Sequence, residues 1–371
     1  MIYSEQDIAT VLHMATKGSD AYLTRLVQWL GGFAQVVHTP VAQWPRRQTN
    51  TVADRLEAAA HRLALSRLTD GEARALERIQ ASAIEVIPLG SVRYPTLLQS
   101  IADPPPVLYR RGMWLDLDTP QIAMVGARSA SIQAQQIARA FATDLARAGM
   151  VITSGLALGV DACAHEGAMQ AGHTIAVLAH GIDQVYPRRH AYLAEKIQEQ
   201  GCLLAEQPFG EPPSKRTFPK RNRVVSGLSV GVVVIEAARQ SGSLVTAKHA
   251  IDQNREVWAV PWSPLHQGGL GGLDLLSDGA VLLRSIDDVW LTLGQTDFVC
   301  RLGMDPKGPP TQARLLTTAQ QILIDLMGDT VCTTSDLIQE SGFSRQRIQQ
   351  ELVELELMGH IDSAPEGYRR V

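Results

Sequence analysis

The sequence predicts an α/β protein with a doubly wound sheet at its centre, a small helical domain before the sheet and a winged-helix domain after it. Three observations predict this arrangement. The middle of the chain alternates short apolar runs with stretches of helical periodicity, which is typical of a doubly wound sheet. The first part of the chain has helical periodicity alone. Three helical segments and a short hairpin pattern close the sequence, as in winged-helix modules.

The helical pattern at the start of the chain predicts a small domain over residues 1–82. Apolar or alanine residues recur at helical spacing from Thr51 to Leu68 and again from Gly71 to Ile79. Prolines at residues 104–106 then punctuate the chain before the strand patterns begin. We therefore expect the central domain over residues 83–304.

Six apolar runs in the central region predict strands. Parallel strands carry near-continuous apolar sequence because helices cover both faces of their sheet. The runs are Gln121–Val125, Met150–Thr153, Thr174–Ala179, Leu203–Ala205, Val230–Ile235 and Val257–Val260. A helix that ends at Gly149 is predicted between the first two runs. Its expected apolar face consists of Ile132, Ile137, Phe141 and Leu145.

A second proline-rich break predicts a linker over residues 305–315 and a winged-helix domain over residues 316–371. Thr318–Gln321 forms a capping-box pattern for the first helix of this domain. Ser335 and Ser344 are candidate N-caps for the next two helices. The last helix is expected to bury Ile348, Leu352 and Leu355, and the hairpin turns at Gly359, Pro365 and Gly367.

Composition excludes several classes of protein. A net charge of −4 excludes a uniformly basic coat for nucleic acid but not a local basic patch. No CxxC pair occurs, so neither a zinc site nor a disulfide framework is predicted from Cys163, Cys202, Cys300 and Cys332. No apolar run approaches the roughly 20 residues that span a bilayer, and the N-terminus lacks a signal pattern. We expect a cytoplasmic protein without a membrane partner.

Glycine and hydroxyl residues follow several predicted strands, at the edge where open α/β sheets bind ligands. Gly126–Ser129 opens a helix whose N-terminal amides favour anions, and Arg128 is suited to clamping a phosphate. Similar loops contain Ser154 and Gly155 and, before a later helix, Ser241, Gly242, Ser243 and Thr246. Each loop alone also fits an ordinary strand-to-helix turn, but their convergence favours anion binding. Neither GxGxxG nor a P-loop is present, so no nucleotide cofactor is expected.

Asp161 and His165 lie four residues apart in the helix predicted after the second strand. One interpretation is an acid–base pair, and the other is an acid at a helix N-terminus beside a structural histidine. His165-Glu166 lacks the second histidine of HExxH, so no metal site is predicted.

The strongest physical signal is the basic run from Pro213 to Arg223. No acid occurs between Glu211 and Glu236, and Phe218 lies inside the run. Cations neutralise the nucleic-acid backbone while a ring stacks on any base, and both are needed to bind single strands. The alternative is a solvated loop with the phenylalanine in the core. The five cations are Lys215, Arg216, Lys220, Arg221 and Arg223.

Taken together, these segments resemble the DNA-processing protein A family, also called DprA or Smf. The resemblance covers residues 85–290 in family order, and residues 355–359 resemble the family's winged-helix domain. The N-terminal helices resemble its sterile-alpha-motif-like domain. The matching segments are Tyr94-Pro95, Asp103–Tyr109, Val125–Arg128, Ser154–Ala157, Gly159–Asp161, Ala164-His165, Thr174–Leu178, Tyr186-Pro187, Phe218–Arg223, Ser241–Ala247 and Asp278–Ala280.

The resemblance implies an extended Rossmann-like domain that binds single-stranded DNA, forms a homodimer and helps to load the RecA recombinase during natural transformation. No catalytic residue, metal or cofactor is expected. Motif positions and the loops described above together predict a nucleic-acid-binding set of Gly126, Arg128, Ser129, Ser154, Gly155, Arg188, Lys215, Phe218, Lys220, Arg221, Asn222, Arg223, Ser241, Gly242, Ser243 and Thr246.

The chain departs from the family pattern at five positions. Ala127 stands where serine is usual and His190 where asparagine is usual, while His180 occupies a position that is normally small. Trp262 replaces a glycine and Leu273 an asparagine, which affects the loop between residues 262 and 274 and the dimer surface near it.

Two other functions stay open. An enzyme of the nucleotide phosphoribohydrolase type would share this sheet topology and could use Glu206 or Glu236 as acid or base, although its PGGxGTxxE sequence is absent. A winged-helix regulator would read DNA with residues Ser344–Met358. That segment has three glutamates against two arginines, which favours a protein-interaction role.

Overall fold

The computed structural model describes residues 3–18, 20–45, 51–294, 318–327, 332–357, 361–364 and 367–370. The chain divides into two compact units, Met1–Pro306 and Lys307–Val371. The predicted linker, residues 305–315, lies outside the described residues. None of the described helices is long and apolar enough to cross a membrane.

Helices precede the sheet, and capping boxes begin two of them. Ser4 and Asp7 bond each other's backbone amides at the start of the first helix, and Thr69 and Glu72 do so at the fifth. The buried faces pack into a core that continues into the sheet. The two helices expected after Thr51 and Gly71 are confirmed. The helices are α1 (Glu5–Thr16), α2 (Ala21–Leu30), α3 (Phe33–His38), α4 (Thr51–Ala64) and α5 (Asp70–Ala81).

A nine-stranded sheet follows, with the order β1-β2-β6-β5-β4-β3-β7-β8-β9. The strands from β3 to β9 pair in parallel, while β1 and β2 extend the sheet antiparallel at one edge. The doubly wound prediction and all six predicted strands are confirmed. The strands are β1 (Glu85–Pro88), β2 (Val107–Gly112), β3 (Gln121–Val125), β4 (Val151–Ser154), β5 (Thr174–Leu178), β6 (Gly201–Ala205), β7 (Gly231–Val234), β8 (Glu256–Ala259) and β9 (Val281–Leu282).

Helices connect the strands and cover both faces of the sheet. The chain runs from β3 outwards to β6 and then crosses to β7, so the strand order reverses between β3 and β7. Ligand crevices form beside the carboxyl ends of strands at such a switch point. The helices are α6 (Thr96–Gln99), α7 (Ile132–Arg147), α8 (Val160–Ala168), α9 (Ala191–Gln200), α10 (Thr217–Gly227), α11 (Ser243–Asp252), α12 (Leu270–Ser277) and α13 (Ile286–Gly294).

The predicted apolar face of α7 is wrong at Ile132, whose side chain is 77% exposed. The helix instead packs through alanines, which allow a close approach to α8. A methyl group at Gly167 of α8 would lie 2.3 Å from the carbonyl oxygen of Arg139. Small side chains at this contact therefore decide which face of α7 is buried. The buried residues of α7 include Ala134, Ala138, Ala142 and Leu145.

The second unit has the predicted winged-helix composition of three helices and a hairpin, and its last helix buries Ile348, Leu352 and Leu355. Thr333, not Ser335, caps the second helix, because its side chain forms a capping box with Asp336. Gly328, the expected end of the first helix, lies outside the described residues, as do Gly359 and Pro365 of the hairpin. The elements are α14 (Thr318–Met327), α15 (Thr334–Ser341), α16 (Arg345–Leu357), β10 (Ile361–Ala364) and β11 (Gly367–Arg370).

The shared core predicts that N-terminal helices and sheet unfold together. Leu56 of α4 is fully buried, whereas Leu65 just beyond the helix is 52% exposed. We expect Leu56→Ala to lower the free energy of unfolding by about 2–5 kcal/mol and Leu65→Ala to change it by less than about 0.5 kcal/mol. Urea titrations followed by circular dichroism measure both. An early, separate transition in Leu56→Ala that leaves the main midpoint unchanged would contradict the shared core.

Candidate nucleic-acid interface

An exposed cation and two aromatic rings meet at the carboxyl edge of the sheet. Arg128 follows β3, Tyr186 follows the β5 segment and Phe218 lies in the first turn of α10. The guanidinium carbon of Arg128 lies 5.3 Å from the centre of the Phe218 ring, and that ring lies 5.9 Å from the ring of Tyr186. Phe218 is half-buried, so part of its ring is accessible to solvent. The alternative, in which the phenylalanine lies in the core, does not describe its position. We call Arg128, Tyr186 and Phe218 the aromatic cluster.

Exposed cations lie close in sequence to Tyr186 and Phe218 of the aromatic cluster. Arg188 and Arg189 follow Tyr186 and Pro187, and Lys215 and Arg216 directly precede α10. Within the described residues none of these four side chains forms an ion pair. Their charges are therefore available to an anion from solvent, as the sequence predicted for Arg188 and Lys215.

Lys220 of α10 differs, because it points its charge into the protein. Its Nζ donates to Asp20 Oδ2 at 2.5 Å and to the Gly18 carbonyl at 3.2 Å. Glu206 Oε1 lies 3.5 Å from the same nitrogen. Burial would lower the pKa of Lys220, but Glu206 and Asp20 more than offset it, so the net shift is upwards. The lysine is a charged internal group, not the solvent-facing cation that the basic run predicted.

Arg223 is also held by internal carboxylates. The residue is buried, and its guanidinium donates to Glu206. Its Nε lies 3.4 Å from Asp103 Oδ2. These acids come from other parts of the chain, which is why a stretch without acids does not leave its cations unpaired.

Arg221 lies buried beneath the loop that follows β4. A methyl group at Gly155 would be 1.3 Å from Nη1 of Arg221, so any larger residue here would displace the guanidinium. The nearby Asp161 accepts hydrogen bonds from the amides of Gly155 and Ala157, at 3.1 and 3.2 Å. Burial raises the pKa of Asp161, and the Arg221 charge opposes this rise. The two hydrogen bonds to Asp161 hold the β4 loop in place.

A buried carboxylate of the protein lies at the switch point. Glu236 follows β7 and is buried, and it accepts hydrogen bonds from the amide and the hydroxyl of Ser131, at 3.2 and 2.5 Å. Ser131 is the N-cap of α7. The carboxylate thus occupies the helix N-terminus that the sequence predicted for a phosphate, because an anion of the chain already satisfies these donors.

The remaining predicted loop residues divide by exposure. Ser129 and Gly242 are exposed, and Gly126, Asn222 and Ser241 are half-buried. Asn222 donates to the Gly242 carbonyl at 3.3 Å and so joins α10 to the start of α11. The remaining four residues are buried; for example, the Ser154 hydroxyl donates to the Met124 carbonyl. The buried members, which DNA cannot reach directly, are Ser154, Gly155, Ser243 and Thr246.

Asp161 and His165 do not form an acid–base pair. His165 shares a 2.6 Å hydrogen bond with Thr174 through Nδ1, while Asp161 caps the loop before it. Burial lowers the pKa of His165 to about 3, assisted by His190 and Arg221, so the ring is neutral. Among the described residues, no three or more His, Cys, Asp or Glu side chains are grouped to hold a metal ion.

Several departures from the family pattern are accommodated locally. Trp262 donates through Nε1 to the Ile235 carbonyl at 2.7 Å, and its ring packs at a tilt against His266 with 4.7 Å between ring centres. His190 binds the Leu156 carbonyl through Nδ1 at 2.9 Å. His180 is buried, and burial lowers its pKa. These contacts hold the substituted loops.

Tyr186 and Arg189 were not among the predicted site residues, although the structure brings them to the predicted surface. The Tyr-Pro pair after the β5 run was a visible signal for the first. An aromatic residue at a strand's carboxyl end lies where ligands bind in this fold.

Comparison with known proteins identifies the family. The model of the DNA recombination-mediator protein A family matches residues 85–294, and that of the DprA winged helix domain matches residues 306–367. Protein Smf of Escherichia coli is 38% identical over 296 residues, covering 77% of each chain. The DNA processing protein DprA of Bacillus subtilis is 36% identical over 264 residues, covering 71% of this chain and 87% of its own.

Two solved structures are also similar. DprA from Streptococcus pneumoniae has a TM-score of 0.64 and 29% identity, covering 78% of this chain and 98% of its own. DNA processing protein A from Helicobacter pylori, described for its single-stranded DNA binding mode, has a TM-score of 0.51 and 31% identity, covering 56% of this chain and 93% of its own. With the family model matching residues 85–294, more than half of the sequence, the chain belongs to the DNA recombination-mediator protein A family.

Proposed function

We propose that this chain binds single-stranded DNA at the aromatic cluster and helps to load RecA during recombination. The observation that carries the proposal is the accessible Phe218 ring beside the exposed Arg128. A ring stacks on any unpaired base, and a guanidinium binds the adjacent phosphate. A relative from Helicobacter pylori is described for single-stranded DNA binding, and it shares this family.

The direct contacts of the proposed site are Arg128, Arg188, Lys215 and Phe218, because their side chains reach solvent. Lys220 and Arg223 are engaged by internal carboxylates, and Arg221 lies under Gly155. We assign these three the task of holding α10 and the β4 loop. Gly126, Ser129, Asn222, Ser241 and Gly242 line the accessible edge.

The first functional prediction concerns salt dependence. Each phosphate contact adds about 0.7 to the slope of log affinity against log salt for single strands. We expect Arg128→Ala to lower the slope by about 0.7 whatever the base sequence. Phe218→Ala should leave the slope nearly unchanged and weaken binding by about 1–3 kcal/mol, the value of one base–aromatic stack. Fluorescence-anisotropy titrations with short oligonucleotides over a salt series measure both.

Arg147→Ala is the matched control, since this exposed arginine lies at the opposite end of α7 and pairs with Asp144. It should bind like wild type. Duplex DNA should bind more weakly, because paired bases cannot stack on the ring. Wild-type slope in Arg128→Ala, or equal affinity for duplex, would refute the site.

We propose that the chain is not an enzyme of the phosphoribohydrolase type. Glu206 is bound to Arg223, and Glu236 is bound to Ser131, so neither carboxylate is free to act as a general base. Purified protein should release neither free base nor phosphate from a panel of nucleotides. Release that disappears in Glu206→Ala or Glu236→Ala would establish the enzymatic alternative.

We also propose a cytoplasmic homodimer that contacts RecA, on the strength of family membership. The domain division is proposed as residues 1–82, 83–304 and 316–371 around the linker. Light scattering should give a dimer at micromolar concentration, and RecA should assemble faster on single strands coated with the protein. A monomer would contradict the first assignment, and unchanged RecA assembly would contradict the second.

A further inference from the structure

An acid of the N-terminal helices reaches the helix that carries Phe218. Asp20 directly precedes α2 and is only 3% exposed, and it accepts a 2.5 Å hydrogen bond from Lys220 of α10. The carbonyl of Gly18, in the same turn between α1 and α2, accepts from the same ammonium at 3.2 Å. Two bonds thus join one turn of the N-terminal helices to one side chain of α10.

Internal oxygens occupy most of the donor capacity of the Lys220 ammonium. A lysine carries three N–H groups. Asp20, Gly18 and Glu206 surround the nitrogen within 3.5 Å. The side chain therefore fastens α10 to Asp20 and Gly18.

Asp20 is itself a firm anchor. Its Oδ1 accepts from the Thr16 hydroxyl at 2.5 Å and lies 3.3 Å from His13 Nε2, which belongs to α1. Burial would raise the pKa of Asp20, but His13 and Lys220 more than offset it and hold it below its usual range. The carboxylate is fixed from the N-terminal side and charged.

Phe218 lies two residues before Lys220 on the same helix, and its ring contacts Arg128 and Tyr186. A shift of α10 would move the ring out of this arrangement. We propose that Asp20 is a positioning residue for single-stranded DNA binding, because it fixes α10 through Lys220 and thereby holds Phe218 in place. The inference rests on the proposed function of the aromatic cluster.

The competing arrangement makes Lys220 a direct DNA contact that Asp20 holds back. The two arrangements predict opposite changes in DNA affinity when Asp20 loses its charge. If Lys220 contacts DNA directly, removing the negative charge of Asp20 frees the lysine and tightens binding. The loss of a negative charge by itself also favours tighter binding to a polyanion. Positioning predicts weaker binding despite the lost negative charge.

The test compares Asp20→Asn with Glu72→Gln in the full chain. Glu72 is also a buried acid of the N-terminal helices, and it pairs with Arg62 without touching α10. Both variants lose one negative charge and one buried ion pair. By anisotropy with an oligothymidine, Asp20→Asn should weaken binding at least about fivefold, the lower end for one base stack. Glu72→Gln should stay within about twofold of wild type.

A double-variant cycle identifies the route of the effect. If Asp20 acts through the Phe218 ring, Asp20→Asn should cost little further affinity in a Phe218→Ala background, since coupled positions are not additive. Fully additive losses would overturn the proposal, as would wild-type or tighter binding in Asp20→Asn.

Lys220→Gln removes the bond between Lys220 and Asp20 from the α10 side. It tests the positioning role if Asp20→Asn does not fold. It should weaken binding while the salt slope stays at the wild-type value. A slope lower by about 0.7 would identify a direct phosphate contact and overturn the proposal. If wild type itself fails to bind single strands, the proposed function falls rather than the coupling between Asp20 and α10.

Discussion

Helix α10 can bury its cations only because carboxylates from distant parts of the chain meet it. Removing an ion from water costs several kcal/mol unless a partner compensates, and breaking a buried pair costs about 3–5 kcal/mol. Glu206 serves both Lys220 and Arg223, while Asp20 and Asp103 each bind one of them. The pairing sets the rotation of α10 about its axis. That rotation leaves the first turn, with Phe218, at the surface.

A second buried carboxylate shapes the opposite side of the sheet edge. Glu236 satisfies Ser131 at the N-terminus of α7, and the carbonyl of the same residue accepts from Ala127 at 2.7 Å. At the switch point, where doubly wound folds usually place a ligand phosphate, a carboxylate of the chain therefore bonds the N-cap of α7. The exposed cations Arg128, Arg188 and Lys215 remain accessible at the sheet edge, where the aromatic cluster lies. A fold known for nucleotides can thus present a different kind of site.

The sequence predicted what depends on local composition. Parallel strands such as Gln121–Val125 are largely apolar because helices cover them, so all six runs were visible. Pairing between distant residues left no local signal: Asp20 and Asp103 lie far before the cations that they neutralise. Helical periodicity likewise could not show that alanines, rather than Ile132, form the packed face of α7. The sequence therefore predicted the solvent-facing role of Lys215 but not the internal pairing of Lys220 and Arg223.

The separation of exposed from buried cations also explains how a chain of net charge −4 can attract a polyanion. At physiological salt, charges more than about 8 Å apart in solvent are largely screened. A phosphate near the aromatic cluster therefore responds to Arg128, Arg188 and Lys215 more than to acids elsewhere on the surface. Burying Asp20 and Glu206 against cations removes two further negative charges from the field around the site. The internal ion pairs thus have two effects on the binding surface. They fix the helix that presents Phe218, and they neutralise the acids beneath it.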